Sequence, residues 1–311
     1  KLRQQAGVIA PSLVLQWSLG DIEGIGRSPA TSTSFYTNFQ QKLSGVGEIS
    51  AAEQKALLKE AEQAIESSVL PAYQALGAEV RRLEKIAPED FGVWQYPQGE
   101  AYYDYLIRHF TTTSLSADEI HQLGMDEMQR VQDEMRAIFN QLGYPQDEGF
   151  DQLFRRVAQD SGSYQGNAIL KAYENSILFA EQNLDAAFDI RPEAKLLVKA
   201  QPSPGAAYYS AASLDGSRPG VFFASASGSE PKFRVPTLAY HEGIPGHHFQ
   251  ISIQREMDLP LFRNVLTVLA YAEGWALYAE RLAGELGWYQ DDPYGNLGRL
   301  QYEAWRAARL V

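Results

Sequence analysis

Hydrophobic residues recur at helical spacing through most of the first two thirds of the chain. Ser50 and Ser116 each begin a capping box, in which a glutamate follows the serine after three residues, and an apolar periodic run follows each box. The first box predicts a helix to about Ser67, and the second predicts the clearest helix of the chain, which ends near Gly143. Similar spacing predicts further helices over about 71–86, 100–110, 148–159 and 167–188.

The pattern changes on either side of this helical series. Within the first fifty residues the period is poor, and Gly20, Gly24 and Gly26 favour loops. After Arg191-Pro192, short apolar runs separated by turn sequences predict a small antiparallel sheet with a hairpin. These runs cover residues 195–200, 206–211 and 220–225.

Helices return beyond the predicted sheet. Pro236 suits the first turn of a helix that carries His241 and Glu242. A long helix is expected over about Leu261–Leu286, and a loop at Asp291–Gly295 leads to a last helix. The pattern therefore predicts a mainly α protein with a small antiparallel β-sheet, in the α+β class.

The length and composition agree with one sizeable globular unit. The chain has 311 residues, of which 45% are hydrophobic and 21% are charged. We expect a single largely helical domain over 1–311, with an N-terminal helical part at 1–110 and a helical and sheet part at 111–311 that carries the chemistry. The last residues still read as helix without a capping glycine, so we expect the natural chain to continue past residue 311.

Charge and cysteine content narrow the range of partners. The formal net charge of −12 argues against nucleic acid as a partner, because binding phosphates requires a basic excess. We expect no membrane span, since no apolar run reaches about 18 residues. The chain has no cysteine, so any metal must be held by His, Asp or Glu. The oligomeric state is left open by the sequence.

The densest chemistry lies in Tyr240–Gln250, which contains three of the five histidines. His241 and Glu242 open this stretch as in the zinc-peptidase motif H-E-x-x-H, whose two histidines share one helical face. Here, however, the fourth position after the first histidine is Pro245. Zinc is commonly held by imidazoles and a carboxylate, with one position left open for a water that a neighbouring glutamate can deprotonate.

A second histidine ligand must therefore come from beyond a helix break. On an uninterrupted helix, His247 would point roughly 240° away from His241. Proline lacks an N–H and clashes with the preceding turn, so Pro245-Gly246 should break the helix. We predict that this break brings either His247 or His248 back to His241, so that the pair helps to bind one Zn²⁺ ion.

The third ligand and the catalytic groups are expected on other elements. Glu273 lies in an otherwise apolar helical stretch, where a carboxylate is costly to bury unless it is paired or bound to metal. Glu280 follows seven residues later on the same face and could orient a histidine. Glu242 is the candidate general base. The candidate donors to a developing oxyanion are Tyr208, Tyr209, Arg306 and Arg309.

Longer motifs give the chain a family resemblance. They include Y-H-E-G-I-P-G-H-H-F-Q from Tyr240 and A-E-G-W-A-L-Y-A-E from Ala272, and others begin at Gly92, Thr111 and Tyr208. Together they cover about residues 92–311 and resemble the bacterial family of domain of unknown function 885, which is grouped with the gluzincin-like metallopeptidases. The resemblance implies a gluzincin-like helical architecture, one Zn²⁺ ion and hydrolysis of peptides or oligopeptides.

Carried over residue by residue, the resemblance implies metal-binding roles for His241, Glu273 and one of His247 and His248, with Glu242 as the base. Two positions depart from the family pattern. Ser225 stands where the family usually has an asparagine, and the family usually continues with a histidine-containing segment just past residue 311.

Two other functions remain open at this point. One is a zinc hydrolase of another amide or ester, and the other is a non-catalytic helical binding protein that retains the fold. Because members of the family often carry export signals, the bacterial periplasm or cell envelope is favoured over the cytoplasm.

Overall fold

The computed structural model describes residues 2–201 and 206–311 and confirms a mainly helical α+β chain with a small sheet. The predicted turn at 202–205 lies outside the described residues. The chain forms two compact units, Lys1–Tyr105 and Leu106–Val311. The sequence placed the boundary between its two parts a few residues later, after residue 110.

The first unit is built from helices. Ser50 caps one of them with a complete capping box, as predicted. The helices are α1 (Leu2–Gln5), α2 (Ser12–Arg27), α3 (Ser34–Ser44), α4 (Ala51–Ala64) and α5 (Leu70–Glu84), and a π-helical turn at Ile65–Val69 joins α4 to α5.

The loops predicted at Gly20, Gly24 and Gly26 are wrong, because α2 runs through all three glycines. Each glycine costs a helix about 1 kcal/mol relative to alanine. Packing against α5 offsets this cost. A Cβ on Gly26 would lie 3.5 Å from a backbone nitrogen of α5, and a Cβ on Gly77 of α5 would lie 3.5 Å from a side chain of α2. Both distances are those of ordinary van der Waals contact, so α2 and α5 pack against each other at Gly26 and Gly77, which the local pattern does not reveal.

The helices of the second unit follow helix α6 (Gly99–Thr111), within which the division between the units falls. Ser116 caps the longest of these helices, α7, with a second complete capping box. They are α7 (Ala117–Gln141), α8 (Phe150–Ser161), α9 (Asn167–Asn183), α10 (Val235–Glu242), α11 (His247–Glu256), α12 (Leu261–Val265), α13 (Leu269–Glu285) and α14 (Pro293–Ala308).

The strands form a three-stranded sheet and a separate two-stranded ribbon. They are β1 (Ser163–Gln165), β2 (Leu196–Ala200), β3 (Tyr208–Ser210), β4 (Gly220–Ala224) and β5 (Ser229–Pro231). The order in the sheet is β2-β4-β3, and the predicted hairpin is confirmed as the antiparallel pair of β3 and β4. Strand β2 joins β4 in parallel, and β1 pairs with β5 in antiparallel fashion. Strand β3 is therefore an edge of the three-stranded sheet.

Three predicted helix boundaries change. The long helix at Leu261–Leu286 is two helices, α12 and α13, because Leu266 and Val268 between them are extended. Helix α14 begins inside the predicted loop, where the Asp292 side chain accepts a hydrogen bond from the backbone N–H of Gly295 at 2.8 Å and caps the helix. Helix α9 ends at Asn183, and a short 3₁₀ turn replaces the rest of its predicted length.

The core of the second unit buries the helix that delivers the candidate metal site. Tyr173 of α9, Phe222 of β4, Tyr240 of α10 and Phe249 of α11 are all almost fully buried in one cluster. Burial of large apolar side chains is the main favourable term in folding, so this cluster holds α10 rigidly within the unit. Among the described residues, no helix is both long and apolar enough to cross a bilayer.

Candidate metal centre

The predicted helix break is confirmed. Helix α10 ends at Glu242, and α11 begins at His247. Gly246 makes the reversal possible, since a Cβ at this position would lie 1.9 Å from the carbonyl oxygen of His241 and 2.3 Å from that of Tyr240. The chain thus turns back against the end of α10 at a distance that only glycine permits.

Helix α13 secures this turn from the other side. The indole Nε1–H of Trp275 donates a hydrogen bond to the carbonyl oxygen of Pro245 at 2.8 Å. Trp275 lies two residues after Glu273, so the same helical turn supplies both the carboxylate and the residue that holds the break. This role of Trp275 was not predicted. The E-G-W stretch could have suggested it, because it places a tryptophan N–H donor two residues after Glu273.

The break brings His241, His247 and Glu273 together. Each offers one ligand atom, and these three atoms lie within 4.8 Å of one another. Nε2 of His241 and Nε2 of His247 each lie 3.8 Å from a carboxylate oxygen of Glu273, and the two imidazole rings are nearly perpendicular with centroids 4.7 Å apart. Ligands about 2.0–2.1 Å from a tetrahedral zinc ion are about 3.4 Å apart. The two 3.8 Å distances end on different oxygens of Glu273, so the three groups would have to move closer together to suit a zinc ion.

Glu280 fixes the ring of His241. Nδ1 of His241 donates to Oε1 of Glu280 at 2.7 Å, because a carboxylate can only accept this hydrogen bond. The tautomer with a proton on Nδ1 leaves the Nε2 lone pair directed towards Glu273 and His247. Glu280 thus contacts a histidine, as expected, and its role in orienting that histidine stays a prediction.

Arg306 completes this arrangement from α14. Its Nη2 donates to Oε1 of Glu280 at 2.7 Å and its Nη1 donates to Oε2 at 3.2 Å, which gives a bidentate ion pair. Glu280 is only 2% exposed, so a paired guanidinium is what its buried charge requires. Nη2 of Arg306 also lies 3.2 Å from Nδ1 of His241. Arg306 therefore supports the histidine through Glu280.

His247 has the properties of an imidazole that is ready to bind a metal. Burial, followed by the nearby His241 and Arg306, lowers its pKa to about 4. The ring is therefore neutral at neutral pH, which is the form that coordinates metals. Its Nδ1 is buried without a hydrogen-bond partner among the described residues, while Nε2 faces Glu273.

Glu242 lies at the end of α10 beside this group and is 7% exposed. Burial raises its pKa to about 7, and Glu273 acts in the same direction. His241 and a hydrogen bond from the backbone N–H of Tyr209 oppose this rise. A carboxylate whose pKa lies near neutral pH can both accept and return a proton under physiological conditions.

His248 is turned away from this group. Its Nε2–H donates to the carbonyl oxygen of Ala194 at 3.1 Å, and its Nδ1 lies 3.0 Å from the hydroxyl of Tyr209. A Cβ on Gly220 would lie 2.6 Å from that hydroxyl and 2.8 Å from Nδ1 of His248. Of the two histidines that the sequence left open, the structure brings His247 to the centre, and His248 ties α11 to the sheet instead.

The candidate oxyanion donors are placed differently from one another. Tyr208 is 44% exposed and stacks on Phe223 with ring centroids 5.0 Å apart. The hydroxyl of Tyr209 is occupied by His248, whereas its backbone N–H reaches Glu242. Arg309 is exposed beyond the end of α14, while Arg306, one turn earlier, contacts the group. The side of α14 that faces the group carries Arg306 and not Arg309, and the sequence did not reveal which side this is.

Comparison with known proteins identifies a family but no activity. A family profile described as "Bacterial protein of unknown function (DUF885)" matches residues 1–311. No curated protein matches the sequence significantly.

Several solved structures, including the following two, are similar to this chain. One is described as a "putative lipoprotein" from Colwellia psychrerythraea, with 28% identity and a TM-score of 0.93 over 100% of this chain. The other is described as a "putative lipoprotein of unknown function" from Shewanella oneidensis, with 20% identity and a TM-score of 0.64 over 95% of this chain, and it supports the fold alone. The chain spans 55% of the length of each.

Proposed function

For a chain that belongs over its whole length to the bacterial family of unknown function DUF885, we propose a zinc-dependent hydrolase that cleaves peptides or oligopeptides. The observation that carries this proposal is the grouping of His241, His247 and Glu273, with Glu242 at the adjoining helix end. Two imidazoles and one carboxylate, with room for a further ligand, form the donor set of many catalytic zinc sites.

Each residue of the group has a chemical task in this proposal. His241, His247 and Glu273 would hold the metal. A bound zinc ion supplies Lewis acidity, which lowers the pKa of a water and polarises a carbonyl. Glu242 accepts the proton of the attacking water and returns it to the leaving amine. Glu280, paired with Arg306, keeps the His241 ring in the tautomer that ligates.

The position of β3 supports a peptide as substrate. This strand is an edge of the three-stranded sheet, and an edge strand can pair with an extended peptide through backbone hydrogen bonds. The backbone of Tyr209 in β3 is close enough to the carboxylate of Glu242 to lower its pKa. A peptide that ran along this edge would therefore pass close to the proposed base.

The gluzincin-like architecture implied by the resemblance belongs to this proposal, since the third ligand comes from a later helix, as in peptidases of that kind. The envelope location does as well, and it is supported by the Colwellia neighbour, which is described as a "putative lipoprotein". The alternatives are a zinc hydrolase of another amide or ester and a binding protein without catalysis.

Three variants test the proposal. Zinc content would be measured for the wild type, for His241→Ala and for His121→Ala, an exposed histidine that serves as the control. We expect about one zinc per chain in the wild type and the control, and loss of zinc in His241→Ala. A wild-type protein that binds no zinc would contradict the site.

Hydrolysis is then measured for Glu242→Gln against a library of peptides. We expect this variant to keep its zinc and to lose roughly a hundredfold or more in rate, because only the proton acceptor is removed. Unchanged hydrolysis would refute the role of Glu242. Faster cleavage of ester or non-peptide amide substrates than of peptides would favour the alternative hydrolase.

A further inference from the structure

A pocket of about 710 Å³ lies between α11, α12 and α13, and this volume is in the range of small-ligand sites. Its walls are largely apolar. The apolar side chains that line it include Phe249, Ile253, Phe262, Leu266, Tyr271 and Trp275.

The pocket shares its walls with the candidate metal centre. Helix α11 begins at His247 and contributes Gln250, one turn later, to the lining. Helix α13 carries Glu273, and the preceding residue, Ala272, lines the pocket. The two helices that supply ligands therefore also bound the pocket, although the candidate ligands themselves do not line it.

The charge of the lining is opposite to that of the whole chain. Arg255 and Arg263 line the pocket, whereas no aspartate or glutamate does. The formal net charge of the chain is −12, so an acid-free lining with two arginines marks a local preference for an anion. Arg255 also donates through Nη1 to the carbonyl oxygen of Ala212, just beyond β3.

Unpaired polar atoms lie in the same wall. Oε1 of Gln250, Oδ1 of Asn264 and Nε of Arg255 are buried without a hydrogen-bond partner among the described residues. Gln250 is only 6% exposed, and its Nε2 is already used in a bond to Gln254 at 2.7 Å. The wall thus carries polar side chains beside the two arginines, although these three atoms are themselves shielded from the cavity.

We propose that this pocket binds the C-terminal residue of the substrate peptide, with a large apolar side chain against Phe249 and Leu266 and the free carboxylate beside Arg255. This inference rests on the proposed peptide hydrolase. The reaction would then be a carboxypeptidase reaction. Water adds across the last peptide bond, the shortened peptide gains a carboxylate, and the released apolar amino acid carries the new amine.

Binding to Glu242→Gln loaded with zinc tests the pocket without turnover. The probes are acetyl-Ala-Ala-Phe with a free carboxylate, the same peptide as its C-terminal amide, and dodecanoate, each followed by calorimetry. We expect the free acid to bind roughly tenfold more tightly than the amide, because the amide lacks the charge that pairs with arginine. Equal binding of acid and amide would overturn the proposal, and so would dodecanoate binding in the absence of peptide binding.

A matched pair of substitutions locates the binding. Leu266 lines the pocket and is 66% exposed, whereas Leu261 in α12 does not line it and is 68% exposed. In the same Glu242→Gln background, we expect Leu266→Glu to weaken binding of the free acid by roughly tenfold through charge repulsion and lost apolar contact, and Leu261→Glu to leave it unchanged. Equal effects of the two substitutions would place the peptide elsewhere.

Failure of this inference is distinguishable from failure of the proposed function. Hydrolysis of peptides by the wild type without preference for a free, apolar C-terminus would overturn the pocket assignment and leave the hydrolase standing. Selective binding of the free acid that Leu266→Glu weakens, with no hydrolysis of any peptide, would support the pocket and refute the hydrolase.

Discussion

His241 donates its Nδ1 proton to Glu280 across 2.7 Å in the interior of the second unit, and this bond sets the free nitrogen of the ring towards the other two candidate ligands. The two residues come from α10 and α13, 39 positions apart in the chain. Neither residue alone defines a metal ligand. Their contact converts a buried histidine into one with a fixed tautomer and an available Nε2.

This contact predicts the effect of Glu280→Gln. The amide cannot hold the charge that pairs with Arg306 or orient the imidazole as strongly, so zinc affinity should fall by roughly 10- to 100-fold. Competition with a chelator of known affinity measures the change. Glu285→Gln is the control on the same helix, because the half-exposed Glu285 contacts Arg281 and the hydroxyl of Tyr278 and lies outside the candidate metal group. Equal zinc affinities in the two variants would contradict the orienting role of Glu280.

The helix break predicts the effect of Gly246→Ala. The added Cβ would meet the carbonyl oxygens of His241 and Tyr240, so the turn must open and carry His247 away. We expect loss of stoichiometric zinc and a decrease of about 2 kcal/mol or more in the free energy of unfolding. Gly24→Ala is the control, since its Cβ meets nothing within 4 Å, and it should raise stability slightly. Normal zinc content in Gly246→Ala would mean that the turn tolerates a side chain.

The raised pKa of Glu242 predicts that the stability of the protein depends on pH when a chelator keeps the protein free of metal. Burial raises the folded-state pKa of Glu242 to about 7, above its ordinary value of 4.5. The folded state therefore holds the proton more tightly than the unfolded state, and its stability falls as the pH rises through this interval. Glu242→Gln removes this loss, so its advantage in unfolding free energy over the wild type should grow by up to about 3 kcal/mol between pH 5 and pH 8. Urea denaturation at each pH measures it, and an advantage that does not change with pH would contradict the assignment.

Metal binding predicts a gain in thermal stability. A ligand that binds only the folded state stabilises it by about 4 kcal/mol at a concentration of 1,000 times its Kd. We expect zinc to raise the Tm of the chelator-treated wild type and of His121→Ala, and to leave the Tm of His241→Ala unchanged. Differential scanning calorimetry measures all three. An equal rise in His241→Ala would show that zinc acts at another site.

Trp275→Phe tests the residue that holds the break. The substitution keeps an aromatic ring beside Phe188 but removes the hydrogen bond to Pro245. We expect the free energy of unfolding to fall by about 1 kcal/mol, with weaker zinc binding as well. Trp305→Phe on α14 is the control, because Trp305 is 47% exposed. Zinc affinity that is unchanged in both variants would show that the metal site does not depend on the hydrogen bond from Trp275 to Pro245.

The sequence alone determined the features that depend on neighbours in the chain. The capping boxes at Ser50 and Ser116, the hairpin of β3 and β4, and the helix break at Pro245-Gly246 follow from local backbone chemistry, and the structure has all of them. Glu280 was identified from its spacing relative to Glu273 on one helical face, which is also a local property. Glu273 was identified as a carboxylate that would be costly to bury, whereas its side chain is 61% exposed in the structure.

Only the tertiary structure decided what depends on packing between elements. Helix α2 persists through its glycines because α5 packs against it. His247 faces Glu273 while His248 faces the sheet, because the direction in which the chain leaves the break is set by Gly246 against α10 and by Trp275 from α13. Those partners lie far away in the sequence, so no local pattern could choose between two adjacent histidines.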